Sequence, residues 1–298
     1  MNKDFRLAYD ILDKVFREGA YSNILLTEVL GKADNRSLLT KLVYGTLEKN
    51  ITLEYYISLL CNSKPTGKIY VILKLGIFML KFMDSLPAHA IVNEMVSLTT
   101  YIRKPNLAGF VNATLHNAIE KDFVLPKDEK LALSVQYSVP LWLVNCLFKQ
   151  YKREKAISIM STESFDLEHI RGNSKKVTNQ ELEKILTNLK LDFTKSNYGG
   201  FFIKNNGEVR DLFDKGIITY QSPSSMLVCN ACSVKNGDNV LDMCSSPGGK
   251  AVYLSELASN IKITACDIYP ARVDKIKEYC GRMNASNINA VVMDGSRE

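Results

Sequence analysis

The chain has 298 residues, 46% of them hydrophobic and 23% charged, with a net charge of +6. That size and apolar content suit two or three domains with cores of their own. Seven cysteines without framework spacing exclude a disulfide scaffold and suggest a reducing compartment. The first nineteen residues are amphipathic and rich in charge rather than shaped like a signal peptide. The most apolar stretch, Val71 to Met83, is too short to cross a bilayer and carries Lys74 and Lys81. A cytoplasmic protein that does not enter membranes is expected.

Charge is unevenly spread. Residues 1–130 hold 17 basic and 14 acidic side chains, residues 131–220 hold 13 and 10, and residues 221–298 hold 8 of each. The whole surplus lies in the first two stretches, as suits an N-terminal part that meets a phosphate backbone; solvated surfaces also reach such a balance.

From Asp4 to about Asp122 the pattern is helical. Phe5, Ala8, Ile11, Leu12, Val15 and Phe16 share one face, and the same period recurs from Leu38 to Leu47 and from Ile69 to Met83. Pro65, Pro87, Pro105 and Pro126 punctuate the helices, so a bundle of about seven is predicted. Gly45 sits inside a helix, where it costs about 1 kcal/mol against alanine, and close helix packing would account for it.

A bridging stretch follows to about Ser161, with an amphipathic helix over Leu141, Val144, Asn145, Phe148 and Tyr151. Trp142, the only tryptophan, is expected to anchor that helix between domains, with base stacking as the alternative.

The period then changes to two. Phe165 to Arg171 reads as a strand, Asn179 to Lys190 as a helix capped by Asn179, and Phe201 to Ile203 as a strand. That is a small α+β unit. Lys175, Lys176, Lys195 and Lys204 lie around it and are candidates for RNA contact or plain solvated lysines.

From Gln221 a doubly wound α/β pattern begins, led in by a helix from Ser225 to Cys232. Val240 to Met243 reads as a buried strand. Cys244, Ser245, Ser246, Pro247, Gly248 and Gly249 turn the chain into a helix from Lys250 to Ala258. Lys262 to Asp267 and Ala290 to Gly295 read as two more strands, each ending near an acid, Asp267 and Asp294. Pro270 starts the helix between them.

A helix N-terminus after a glycine turn offers free N–H groups and partial positive charge to an anion. Neither phosphate-binding pattern fits. A P-loop needs glycine where Cys244 stands and Ser or Thr where Ala251 stands, and Gly248 and Gly249 are too close together for G-x-G-x-x-G. The remaining ligand has one carboxylate, one ribose and one base, which describes S-adenosylmethionine. Asp267, seventeen residues past Lys250, is placed for the ribose hydroxyls, and Asp294 for the base edge or amino group.

Leu241 to Lys250 resembles the cofactor motif of RNA cytosine-5 methyltransferases, and the chain's arrangement is similar throughout to the RsmB/Sun/Fmu family, which methylates 16S ribosomal RNA. Pro87 to Glu94 with Gly109 to Leu115 is similar to that family's NusB-like RNA-binding domain. His169-Ile170-Arg171-Gly172-Asn173 resembles the Leu-Arg-x-Asn strand of its linker domain, and Tyr220 to Ser225 the segment before the cofactor motif. Two positions depart from the pattern: Ser222 stands where an acid is usual, and His116 where arginine is frequent.

The resemblance implies a NusB-like bundle (1–126), a linker helix with a small α+β domain (127–220) and the first half of a Rossmann-like methyltransferase domain (221–298). It implies a sheet of order 3-2-1-4-5-7-6, in which the Val240 strand without its fourth neighbour is an edge prone to association. It implies S-adenosylmethionine as cofactor, 16S ribosomal RNA as partner, and a monomer at full length. The turn residues Cys244, Ser245, Ser246, Pro247, Gly248, Gly249 and Lys250 would hold the cofactor together with Asp267, Arg272 and Asp294. Arg272 has a second reading, an ion pair with Asp274 or Glu278.

The family's chemistry needs a cysteine thiolate on carbon 6 of cytosine and a second cysteine for elimination, in Pro-Cys and Thr-Cys motifs. Those motifs are expected beyond Glu298, so no catalytic residue is assigned among Cys61, Cys146, Cys229, Cys232, Cys244, Cys266 and Cys280, and no methyl transfer is expected from the 298 residues. Cys229 and Cys232 have C-x-x-C spacing without a second pair, so zinc is not expected. A non-catalytic RNA-binding module and a small-molecule methyltransferase are the alternative functions.

Overall fold

The computed structural model describes residues 2–83, 86–162, 167–204 and 207–297. They belong to two compact units, Met1–Thr162 and Glu163–Glu298.

The first unit is all helical: α1 (Lys3–Glu18), α2 (Ser22–Leu30), α3 (Arg36–Glu48), α4 (Asn50–Leu60), α5 (Gly67–Phe82), α6 (Ala88–Tyr101), α7 (Ala108–Glu120), α8 (Glu129–Tyr137), α9 (Leu141–Gln150) and α10 (Arg153–Met160). Asn2 caps α1 by accepting from the amides of Asp4 and Phe5, and Gly19 ends it in the left-handed region. α5 is buried all round between Val71 and Met79 and forms the centre of the core, with Ile69, Val71, Ile72, Leu73, Leu75, Ile77 and Met79 all buried. Gly45 of α3 lies so close to it that a Cβ there would overlap the Phe78 ring.

Lys74 is the one charge on the buried face of α5. Its ammonium donates to Asn50 Oδ1 (2.6 Å) and Glu54 Oε1 (2.8 Å) and lies over the rings of Phe16 and Tyr70.

Helices α8 to α10 belong to this unit. Thr52 of α4 donates its hydroxyl to the Val135 carbonyl of α8, and the Ile51 amide donates to Ser138 Oγ. Trp142 anchors nothing: it is 67% exposed. The inward stripe of α9 is Val144, Leu147 and Phe148, at three- and four-residue spacing, and Trp142, two residues before Val144, falls on the opposite side.

In the second unit, β1 (Leu167–Gly172), β2 (Phe193–Lys195), β3 (Phe201–Lys204) and β4 (Ile218–Tyr220) form an antiparallel sheet in the order β2-β3-β1-β4. The predicted beginning of β1 at Phe165 lies outside the described residues. Helix α11 (Asn179–Asn188) packs Leu182 and Leu186 onto Ile170, Phe201, Ile203 and Ile218. Its cap is Thr178, not Asn179. The Thr178 hydroxyl accepts from the Glu181 amide and the Glu181 carboxylate accepts from the Thr178 amide. A short α12 (Arg210–Asp214) leads into β4.

Then come α13 (Pro223–Ala231), β5 (Asn239–Asp242), α14 (Gly249–Leu257), β6 (Lys262–Asp267), α15 (Pro270–Met283) and β7 (Ile288–Val292). Ser222 caps α13 by accepting from the Ser225 amide, a task an acid at that position could also perform. The three strands are parallel, in the order β5-β6-β7, with Asp242 opposite Ala265 and Asp267 opposite Val292.

β5 is an edge, and the expected buried strand is half exposed. Val240 is partly covered, while Leu241 is 54% and Met243 49% exposed, because no further strand lies beside them among the described residues.

Candidate functional site: a glycine turn at the tips of a parallel sheet

The turn leaves the carboxyl end of β5. The Ser245 amide donates to the Cys266 carbonyl of β6 (2.9 Å), and the Gly248 amide to the Ser245 carbonyl (2.7 Å). Gly248 has φ +104°, a conformation that L side chains rarely adopt, while a Cβ there would only touch Ile276 and Tyr279. It is the N-cap of α14, and Gly249 and Lys250 are that helix's first two residues. The free N–H groups of the first turn therefore stand at the end of the sheet. Ser246 donates its hydroxyl to the Arg272 carbonyl, which ties the turn to α15. Cys244, Pro247 and Lys250 are exposed.

Two buried polar atoms at this turn have no hydrogen-bond partner among the described residues: Asp242 Oδ2 and Ser245 Oγ. Buried polar atoms are nearly always paired, so orphaned ones beside a turn mark a place where a polar ligand or water completes the set. Asp242 was not singled out from sequence, because a polar residue closing a strand carries no spacing signal of its own.

Asp267 ends β6 and is buried. Its carboxylate accepts from the Tyr269 amide (3.2 Å) and lies 3.8 Å from Arg272 Nη1. Arg272 thus pairs with Asp267 rather than with Asp274 or Glu278, and stacks over Tyr269. Asp274 pairs with Lys277 instead. Asp294 stands two residues past β7, not within the strand. Its carboxylate accepts from the Ser296 hydroxyl (2.6 Å) and amide, and pairs with Arg297. The Ser296 hydroxyl, then its amide, hold that carboxyl below the usual range. The two acids are joined through the backbone, since the Met293 amide donates to the Asp267 carbonyl.

Behind the turn lies a buried polar chain. Arg171 of β1, 2% exposed, donates from Nε to Gln221 Oε1 and from Nη1 to both oxygens of Glu256 on α14 (3.0 and 2.8 Å). Gln221 Nε2 in turn donates to the carbonyl of Gly249 (3.2 Å). Asn173 donates to the Gly216 and Met283 carbonyls. The His169-to-Asn173 motif therefore turns most of its polar groups inside the unit, with Arg171 Nη2 buried and unpartnered among the described residues. Of the four lysines around the small sheet, Lys176 donates to the Lys215 carbonyl and Lys195 pairs with Glu183.

Of the cysteines, Cys229 is buried against the Lys250 carbonyl, and burial, then the neighbouring Cys232, push its thiol up to about 11. Burial also raises Cys280 and Cys61.

A parallel β-α-β-α-β unit that turns on Gly248 at the helix start and sets acids at the next two strand ends defines a methyltransferase-like α/β region, here behind an all-helical one. The comparisons agree. The NusB family model matches residues 5–120, and the model for 16S rRNA methyltransferase RsmB/F matches residues 230–298. The chain is 30% identical over 306 residues to the probable ribosomal RNA small subunit methyltransferase B of Bacillus subtilis, covering 98% of this chain and 68% of that protein. It is 28% identical to the Synechocystis protein of the same description, covering 95% and 67%. The crystal structure of PH0851 has the same fold, with a TM-score of 0.76 at 20% identity over 99% of this chain and 70% of that one. The chain belongs to the RsmB/Sun/Fmu family of ribosomal RNA methyltransferases, and it spans about two thirds of the length of the relatives it matches.

Proposed function

We propose that these residues are the RNA-binding and cofactor-binding parts of a cytoplasmic, monomeric enzyme that methylates carbon 5 of a cytosine in 16S ribosomal RNA. The observation that carries the cofactor reading is the turn itself. The buried Oδ2 of half-buried Asp242 and the buried Oγ of Ser245, both without a partner among the described residues, sit beside a left-handed Gly248 and the open end of α14.

S-adenosylmethionine fits this set, and when bound it supplies the electrophilic methyl group. The N–H groups at the start of α14, and the turn from Cys244 to Lys250, face its carboxylate. Asp267 accepts from the ribose hydroxyls, held at the strand end by the Tyr269 amide and attended by Arg272. Asp294 meets the base edge or amino group. The helices of residues 1–126 take RNA, and the small antiparallel unit that begins the second compact unit leads into the cofactor part.

None of the seven cysteines follows a proline or a threonine, as the Pro-Cys and Thr-Cys motifs require, and three of them are also unsuited as the attacking thiolate on carbon 6. Cys229 is buried with a raised pKa, Cys266 is buried in the sheet, and Cys244 belongs to the turn. We therefore assign cofactor binding, not methyl transfer, to the 298 residues.

Titration calorimetry with S-adenosylhomocysteine tests this reading. Saturable heat that is lost on Asp267→Ala is expected. No heat overturns it. Carbon-5 methylation of 16S ribosomal RNA by the purified chain would overturn the restriction of these residues to cofactor binding.

A further inference from the structure

We infer that Gln221, held by the buried Arg171–Glu256 pair, is a positioning residue for the glycine turn. The small antiparallel sheet would then be part of the cofactor site rather than a spacer. This deepens the cofactor reading above and rests on it.

The geometry is a clamp on both ends of α14. At the start, Gln221 Nε2 donates to the carbonyl of Gly249, the helix's first residue. Near the end, Glu256 accepts from Arg171 Nη1, from the Ser174 amide (3.0 Å) and from the Ser174 hydroxyl (3.2 Å). Arg171 joins the two ends, because its Nε donates to Gln221 Oε1. Its guanidinium also covers the Tyr253 ring, midway along the helix.

Gln221 itself has little freedom. It is buried, its amide donates to the His169 carbonyl (3.1 Å), and its own carbonyl lies 2.6 Å from His169 Nδ1. The other ring nitrogen of His169 lies 2.9 Å from the Gly199 carbonyl. A side chain fixed at both its backbone and its acceptor can set the position of the one group its amide reaches. That group is the backbone of the turn, and a cofactor contact made through backbone N–H groups depends on such placement to within a fraction of an ångström.

Two variants separate positioning from mere support. Gln221→Met removes both hydrogen bonds at similar volume. Gln221→Glu keeps the acceptor for Arg171 Nε but turns a carboxylate oxygen toward the Gly249 carbonyl, so only the turn loses its partner. Both should weaken S-adenosylhomocysteine binding by about tenfold, as the loss of one buried hydrogen bond implies. Both should also speed amide exchange in residues 248–253 while leaving α11 unchanged.

Binding within twofold of the unaltered chain, or unchanged exchange at 248–253 in both variants, would overturn the inference. If the unaltered chain itself gives no heat, the cofactor reading fails, and the exchange experiment still decides whether Gln221 sets the turn.

Discussion

Arg171 and Glu256 form an ion pair 2.8 Å long with both side chains 3% exposed, between a strand of the antiparallel sheet and a helix of the parallel one. A buried pair contributes little net stability over an apolar substitute, but losing one partner strands a charge. Arg171→Ala and Glu256→Ala should each destabilise the chain by about 3–5 kcal/mol. The double replacement Arg171→Met with Glu256→Leu should cost less than the two single changes added together. Urea midpoints for the three variants check this.

Gly45→Ala should be destabilising despite the better helix former. A Cβ at Gly45 overlaps the buried Phe78 ring, so overpacking at about 1–3 kcal/mol outweighs a propensity gain of about 1 kcal/mol. Pairing it with Phe78→Leu should recover part of the loss in thermal melts.

Asp267→Asn should lower S-adenosylhomocysteine affinity by about 10- to 100-fold, the worth of hydrogen bonds to a charged acceptor. Gly248→Ala should lower it too, because φ +104° strains any L side chain and so shifts the turn. Calorimetry on folded variants reads both effects.

Alkaline stability follows from Cys229. Burial raises its folded pKa from 9.0 to about 11, so between those values the native state holds a proton the unfolded chain has released. Its contribution is fully present below pH 9 and is lost as pH rises to about 11. Raised Cys280 and Cys61 act in the same direction. Lys74, lowered by burial, acts oppositely, its penalty easing as pH climbs toward 10.5. Melting temperature should fall from pH 9 to 11, and Cys229→Ala should flatten that fall.

Edge strand β5 presents Leu241 at 54% exposure on an unpaired ladder. Sedimentation velocity should detect concentration-dependent association of the 298-residue chain, reduced by Leu241→Lys. A single species at all concentrations for the unaltered chain would contradict this.

What could be read from the residues in order was local. Period-3.6 stripes, proline punctuation and a glycine turn between apolar runs act over a few residues. They determined the helical bundle, the change to strands after residue 165 and the β-α-β-α-β unit with its acids. Boundaries slipped where a cap depends on one side chain's aim: Thr178 took the role expected of Asn179. What only the tertiary structure decided were the fates of residues whose partners lie far along the chain. Arg171 and Glu256 are 85 residues apart, and Gln221 and Gly249 are 28 apart. Whether an arginine beside a strand meets solvent, RNA or a buried carboxylate depends on which surfaces close over it, and no spacing encodes that. The same holds for Trp142, left outside, and Lys74, taken inside between Phe16 and Tyr70: burial is a property of the whole fold, while periodicity is a property of one element.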